Sequence, residues 1–143
     1  VKFLPGPRSD LPLDADTDPV DVCARIRAEV ETRPGAVIVH VYGQADAHTE
    51  ARWGRLLDAA LLAAASTGHL VIDTGETGFL GCRPIFALVA RAQHAAARGL
   101  RVSVLTPVPD VVARVVTITG LAEWLSLYTE LDEALDQRVG VTP

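Results

Sequence analysis

The chain carries only two cysteines, Cys23 and Cys82, and they lack CxxC spacing. That excludes a disulfide framework and a cysteine-based zinc signature, and it points to a reducing compartment with two free thiols. Long apolar runs are missing too. None approaches the roughly 18 residues of a membrane helix, so direct membrane insertion is not expected. Residues Val1 to Val20 lack the basic-then-apolar layout of a secretory signal, and the expected location is cytoplasmic. A basic excess is also absent. The net charge is −5 and the pI about 5.2. Arg25, Arg27, Arg52, Arg55, Arg91 and Arg98 are scattered and interrupted by acids, which leaves no footprint for nucleic acid.

Motifs for bound groups are missing in the same way. His40, His48, His69 and His94 show no metal-ligand spacing and no HExxH, so each is expected to be a surface or packed histidine and no metal site is expected. Gly75, Gly78 and Gly81 match neither the dinucleotide nor the phosphate-loop pattern, and no cofactor is expected.

What is present suits one globular domain. There are 143 residues, and 49% of them are hydrophobic, ample material for one core. Residues 1–20, rich in Pro and Asp, read as a flexible extension or a strap, and the domain is expected over 21–143. Cys23 to Thr32 alternates, with Ala24, Ile26, Ala28 and Val30 on one side and Arg25, Arg27, Glu29 and Glu31 on the other, the period of a half-buried strand. A helix beginning after Asp18-Pro19 competes, because Val22, Ile26 and Val30 recur at four-residue spacing. The strand is preferred, since Arg33-Pro34-Gly35 is a turn signal leading into the apolar strand Ala36 to Tyr42.

Beyond that strand, Gly43 to Asp46 reads as a loop. Thr49 to Thr67 reads as an amphipathic helix with Trp53, Leu56, Leu57, Ala60, Leu61 and Ala64 on one face. A strand over Leu70–Asp73 is followed by a loop from Thr74 to Gly78, a break at Gly81 to Arg83, and a helix from Pro84 to Arg98. Leu100 to Leu105 is a strand, Asp110 to Thr119 a short helix and Leu125 to Tyr128 a last short strand. Thr129 to Asp132 resembles a capping box for a final helix reaching Arg138. The order β β α β α β α β α predicts a mixed α/β sheet, mostly parallel, of about five strands covered by four helices.

In such sheets, sites are built in the loop after the carboxyl end of a strand. That places the candidate site between Asp73 and Pro84. Cys82 is its most informative residue. Just before a helix, its thiol has two readings: a redox-sensitive or modifiable group, or a small buried apolar side chain. Asp73 and Glu76 flank the segment as carboxylates, but no base is identifiable as a partner for the thiol.

Taken together, these features resemble the STAS family, the anti-sigma factor antagonists (anti-anti-sigma factors) of bacteria and the related domains of sulfate transporters. The resemblance runs from about Ala24 to Val139. Gly43-Gln44-Ala45-Asp46 looks like the family's Gly-x-x-Asp turn, and Asp73 like the aspartate ending the next strand. Phe79-Leu80 looks like the Phe-Ile ahead of the phosphorylation site. Gly120-Leu121 and Asp132-Glu133-Ala134-Leu135 resemble the late Gly-Leu and the closing acidic helix.

The resemblance implies a STAS-like fold and a regulatory protein-binding module rather than an enzyme. Its partner would be an anti-sigma factor or a histidine-kinase-like ATPase domain, and self-association is left open. In the family, a serine ahead of the second helix accepts phosphate, and nearly two added negative charges break the complex. Here the matching loop is Gly81, Cys82, Arg83 and Pro84, with Cys82 at the serine and Gly81 at the preceding aspartate. Asp46, Asp73, Thr74, Cys82 and Arg83 are the expected partner-binding residues. Two alternatives stay open: a structural or adaptor subunit of a signalling or transporter complex, and a thiol enzyme using Cys82.

Overall fold

The computed structural model describes residues 7–11, 13 and 19–135. Its elements are β1 (Arg8–Asp10), α1 (Val20–Arg25), β2 (Ile26–Arg33), β3 (Ala36–Ala45), α2 (Glu50–Ala64) and β4 (His69–Leu80). They continue with α3 (Cys82–Ala96), β5 (Arg101–Leu105), α4 (Pro109–Thr119), β6 (Ser126–Tyr128) and α5 (Leu131–Leu135). The six strands lie side by side in chain order. β1–β2 and β2–β3 pair antiparallel, and every later pair is parallel. Among the described residues the sheet is therefore mixed and mostly parallel, as expected, with six strands in place of about five and α1 added to the four helices.

Strand order decides where the core lies. Crossovers between parallel strands are right-handed, so an order that never reverses puts α2, α3 and α4 on one face. The main core is there. Val37, Val39 and Val41 of β3, Leu70 and Ile72 of β4, and Val102 and Val104 of β5 meet Trp53, Leu56 and Leu57 of α2 and Ile85, Leu88 and Val89 of α3. The opposite face has a small apolar cluster, Ile38, Val71, Leu105 and Ala134, under α5.

Four expectations change. First, Cys23 to Arg25 belong to a helical turn, and β2 starts at Ile26. The N–H groups of Val22 and Cys23 both donate to the Pro19 carbonyl, so the Asp18-Pro19 helix signal wins locally. Second, part of the expected extension is strand. β1 pairs with β2, Leu11 donates its N–H to Ala28 O, and the Leu11 side chain is buried in the core. Third, β3 and β4 run on past Tyr42 and Asp73 as parallel partners, to Ala45 and Leu80. The polar, glycine-rich Thr74–Gly78 stretch is a strand because β3 supplies its hydrogen bonds, with register shifts between His40 and Tyr42 and between Gly43 and Gln44. Fourth, α3 begins at Cys82, two residues before Pro84. The first four N–H groups of a helix have no partner inside it, so proline costs nothing there. The end of the expected last helix, residues 136–138, lies outside the described residues.

Gly43 is required where it stands. Its φ is +108°, and a Cβ built on it would lie 1.9 Å from the Arg25 carbonyl oxygen. Among the described residues, no helix is long and apolar enough to cross a membrane.

Candidate functional site

Two loops meet at the carboxyl end of β3 and β4. The Gly81 N–H donates to Ala45 O at 2.9 Å, which ties the start of α3 to the β3–α2 loop. Gly81 is the N-cap of α3 and offers no side chain to cap it. Cys82 is the first residue of the helix and is exposed, so the reading of it as a small buried side chain is overturned. Arg83 reaches back to Glu50 of α2 at 3.2 Å. Arg83 is largely in water and Glu50 partly so, and that pair contributes little to stability. Pro84 is buried, and its carbonyl accepts a 3.0 Å hydrogen bond from the Trp53 indole N–H. Just before the loop, Phe79 is half-exposed.

Asp46 organises the facing loop. Its Oδ1 accepts the N–H groups of His48 at 2.9 Å and Thr49 at 3.1 Å, and its own N–H donates to Thr49 Oγ1 at 3.0 Å. Thr49 is buried and donates its hydroxyl to Gln44 O at 2.8 Å. These bonds satisfy backbone groups at the start of α2, the ordinary work of Asp and Thr before a helix. Asp46 thus stands beside Gly81 to Pro84 and shapes the turn.

Asp73 and Thr74 do not join that cluster. They sit at the other end of the β4 arm. Thr74 is buried and donates to Leu105 O at 2.6 Å. Asp73 Oδ1 accepts the Gly75 N–H at 2.9 Å, and Oδ2 faces His40 Nδ1 at 2.8 Å. Asp73, one of the two acids considered for thiol chemistry, is therefore held by His40 and Gly75 and not by Cys82. Among the described residues, no group of three or more His, Cys, Asp or Glu could hold a metal.

Sequence reasoning missed a buried polar network on the second face of the sheet. Glu31 of β2, His40 of β3 and Asp73 of β4 stand in a row, with His40 Nε2 2.9 Å from Glu31 Oε1. Glu31 is only 1% exposed. Arg33 pairs with it, and Arg8 of the β1 strap lies 3.6 Å away. The signal was a lone histidine in the apolar strand AVIVHVY facing the acids of β2. Without register it could not be read, because Glu29, not Glu31, is directly opposite His40.

Further along the same face, His69 meets Ser103 Oγ at 2.9 Å. Burial first, and the Arg101 charge second, push His69 down to about 4 from 6.5. Between those values the unfolded chain takes up a proton that the folded chain refuses. Stability at this residue is therefore present above pH 6.5 and lost as pH falls to about 4, on the order of 2–3 kcal/mol. Urea unfolding at pH 7 and pH 4.5 reads this loss. His69→Gln should lose clearly less than the wild type between the two, and equal losses would refute the assignment.

The family model described as the STAS domain matches residues 27–134. The chain belongs to the STAS domain family. Rv2638 of Mycobacterium tuberculosis, provisionally named an anti-anti-sigma factor, is 30% identical over 115 residues, 80% of this chain and 77% of that protein. The anti-sigma-F factor antagonist RsfA, from the same organism, is 27% identical over 124 residues, 87% of this chain and 96% of the relative. A crystal structure of an anti-sigma factor antagonist from Mycobacterium paratuberculosis superposes with a TM-score of 0.61 at 29% identity, covering 80% of this chain and 95% of that one. The STAS-like fold expected from the sequence is thus the fold observed.

Proposed function

We propose that this STAS protein is a non-enzymatic regulator that binds an anti-sigma factor through the surface formed by Asp46, the β3–α2 loop and Gly81 to Pro84. The carrying observation is the exposed Cys82 at the first residue of α3, on a scaffold whose named relatives are antagonists of this kind. The half-exposed Phe79 and the exposed Arg83 flank it, an aromatic anchor and a cation of the sort found at binding hot spots. The partner on this reading has a histidine-kinase-like ATPase domain, and the protein works in the cytoplasm. Cys82 stands at the phosphoacceptor position and cannot take a serine phosphate. On this reading control falls to another chemistry at the same position, such as two-electron oxidation of the thiol by a peroxide, which gives a sulfenic acid and water.

Calorimetric titration with a purified anti-sigma factor of that ATPase class tests this. Cys82→Ser should bind as the wild type does and become phosphorylated when the partner is an active kinase. Cys82→Glu should weaken binding by about tenfold or more, because it puts a fixed negative charge in the contact surface. Wild-type affinity in Cys82→Glu would place the docking face elsewhere.

A further inference from the structure

The row Glu31, His40 and Asp73, buried at the first two and part-buried at Asp73, has a proton count that its geometry dictates. Each ring nitrogen of His40 faces a carboxylate oxygen, Nδ1 to Asp73 at 2.8 Å and Nε2 to Glu31 at 2.9 Å. A neutral imidazole has one N–H. With both acids ionised, its other nitrogen would set a lone pair against a carboxylate lone pair in a buried site, an arrangement without a hydrogen bond. Both contacts are satisfied only when the three groups together hold one further proton. It resides on the imidazole, which then donates to both acids, or on one of the acids.

The surroundings are as follows. From β1, Arg8 approaches Glu31 at 3.6 Å and Glu29 at 4.0 Å. From β2, Arg33 pairs with Glu31, and Glu29 accepts the Tyr42 hydroxyl at 2.8 Å. Arg27 stacks over the Tyr42 ring at 4.4 Å. From β4, Asp73 faces His40 Nδ1. Removing the proton would leave three acids facing the cations Arg8, Arg27 and Arg33, with His40 neutral between two of the acids.

Asp73 carries this state into the backbone. Its second oxygen accepts the Gly75 N–H, at the point where β3 passes from His40 to Tyr42 while β4 passes from Asp73 to Glu76. Two β4 residues, Thr74 and Gly75, form the bulge there, and the Thr74 hydroxyl anchors the other side to Leu105 O. The Glu76–Leu80 arm continues from the bulge to Gly81.

We infer that Glu31, His40 and Asp73 form one proton-binding site with His40 buried at its centre, and that its proton holds the Thr74–Gly75 bulge from which the Glu76–Leu80 arm extends. The direction of titration agrees. Burial pulls His40 down, but its hydrogen bonds to Asp73 and Glu31 outweigh that and leave it raised. For Asp73, burial pushes up, and the bonds from His40 and the Gly75 N–H outweigh it and leave it lowered. The stabilisation from His40 is complete below pH 6.5 and is lost as pH rises through its folded value. That from Asp73 is present above pH 3.8 and is lost as pH falls through its own. The proton is held between those limits.

The site needs no partner, so its test is separate from that of the docking surface. Two-dimensional NMR of the full chain, titrated from pH 5 to 9, follows the His40 ring and the backbone amides together. The ring midpoint should lie above 6.5, and the amides of Gly75 to Leu80 should shift with that same midpoint. Asp73→Asn keeps an acceptor for the Gly75 N–H but loses the charge, and should lower the His40 midpoint by about one pH unit. His40→Gln should abolish the shared transition of the arm. A His40 midpoint below 6.5, or arm amides that ignore it, would overturn the inference.

Discussion

Replacing Trp53 by alanine should lower the unfolding free energy by about 3–5 kcal/mol, the range for emptying a large buried aromatic site. Trp53 is completely buried and sits where α2 faces the first turn of α3. It contributes more than volume. Its indole N–H donates to the Pro84 carbonyl at 3.0 Å, which fastens α2 to the turn that presents Cys82. Trp53→Phe keeps most of the bulk but leaves the Pro84 carbonyl one bond short, so it should cost roughly 1–2 kcal/mol. Urea unfolding reads both losses. Hydrogen exchange at Ile85, whose N–H donates to Gly81 O, should quicken in the alanine variant. Trp124→Ala is the control. Trp124 is 37% exposed, and its removal should cost clearly less than that of Trp53. Losses of similar size at the two tryptophans would contradict the account.

Gly43→Ala should be at least as damaging as many core truncations, at about 3 kcal/mol or more. Two costs combine. At φ +108° an L side chain is strained, worth roughly 1–3 kcal/mol. The new methyl would also stand 1.9 Å from Arg25 O and 2.8 Å from Arg25 C, both backbone atoms that no rotamer change can move. Gly35 separates the two costs. It has φ +78° in the β2–β3 turn, but nothing lies within 4 Å of its Cβ position. Gly35→Ala should therefore cost only about 1 kcal/mol. Thermal unfolding of the two variants side by side measures the steric part as the difference between them.

Much of the fold could be read from periodicity because its elements are long or strongly apolar. The strand around Val37 to Val41 and the helix carrying Trp53, Leu56, Leu57 and Ala60 are of this kind. The outer arm of β4 was not legible. Thr74 to Gly78 has the composition of a turn, and only the extension of β3 beyond Gly43 gives its backbone a partner. β1 was hidden for a similar reason. Three exposed residues, Arg8 to Asp10, form a strand solely because the edge of β2 is beside them. At the candidate site, the place of Cys82 could be inferred to within two residues, because Pro84 and the apolar helix face mark the first turn of α3. Its exposure could not, since that depends on which side of the helix meets Trp53. The Glu31–His40–Asp73 row escaped because its members are far apart in sequence and meet only through strand register. In β2, Glu29 and Glu31 have the alternation of a solvated face, yet Glu31 is covered.

The strand order has a bearing on how the chain is made as well as on where its helices lie. Spatial order and chain order coincide across the whole sheet. From β3 onward, each strand pairs with the strand that emerged just before it, after one turn or one helical crossover. No strand must wait for a distant, later segment to supply its neighbour, and no finished pair has to open to admit another. The antiparallel β2–β3 pair closes through a short turn, whereas each parallel pair closes only across a whole crossover helix and is slower to form. During synthesis the sheet can lengthen at one side as the chain leaves the ribosome, and each crossover helix can settle on the apolar face already built before it.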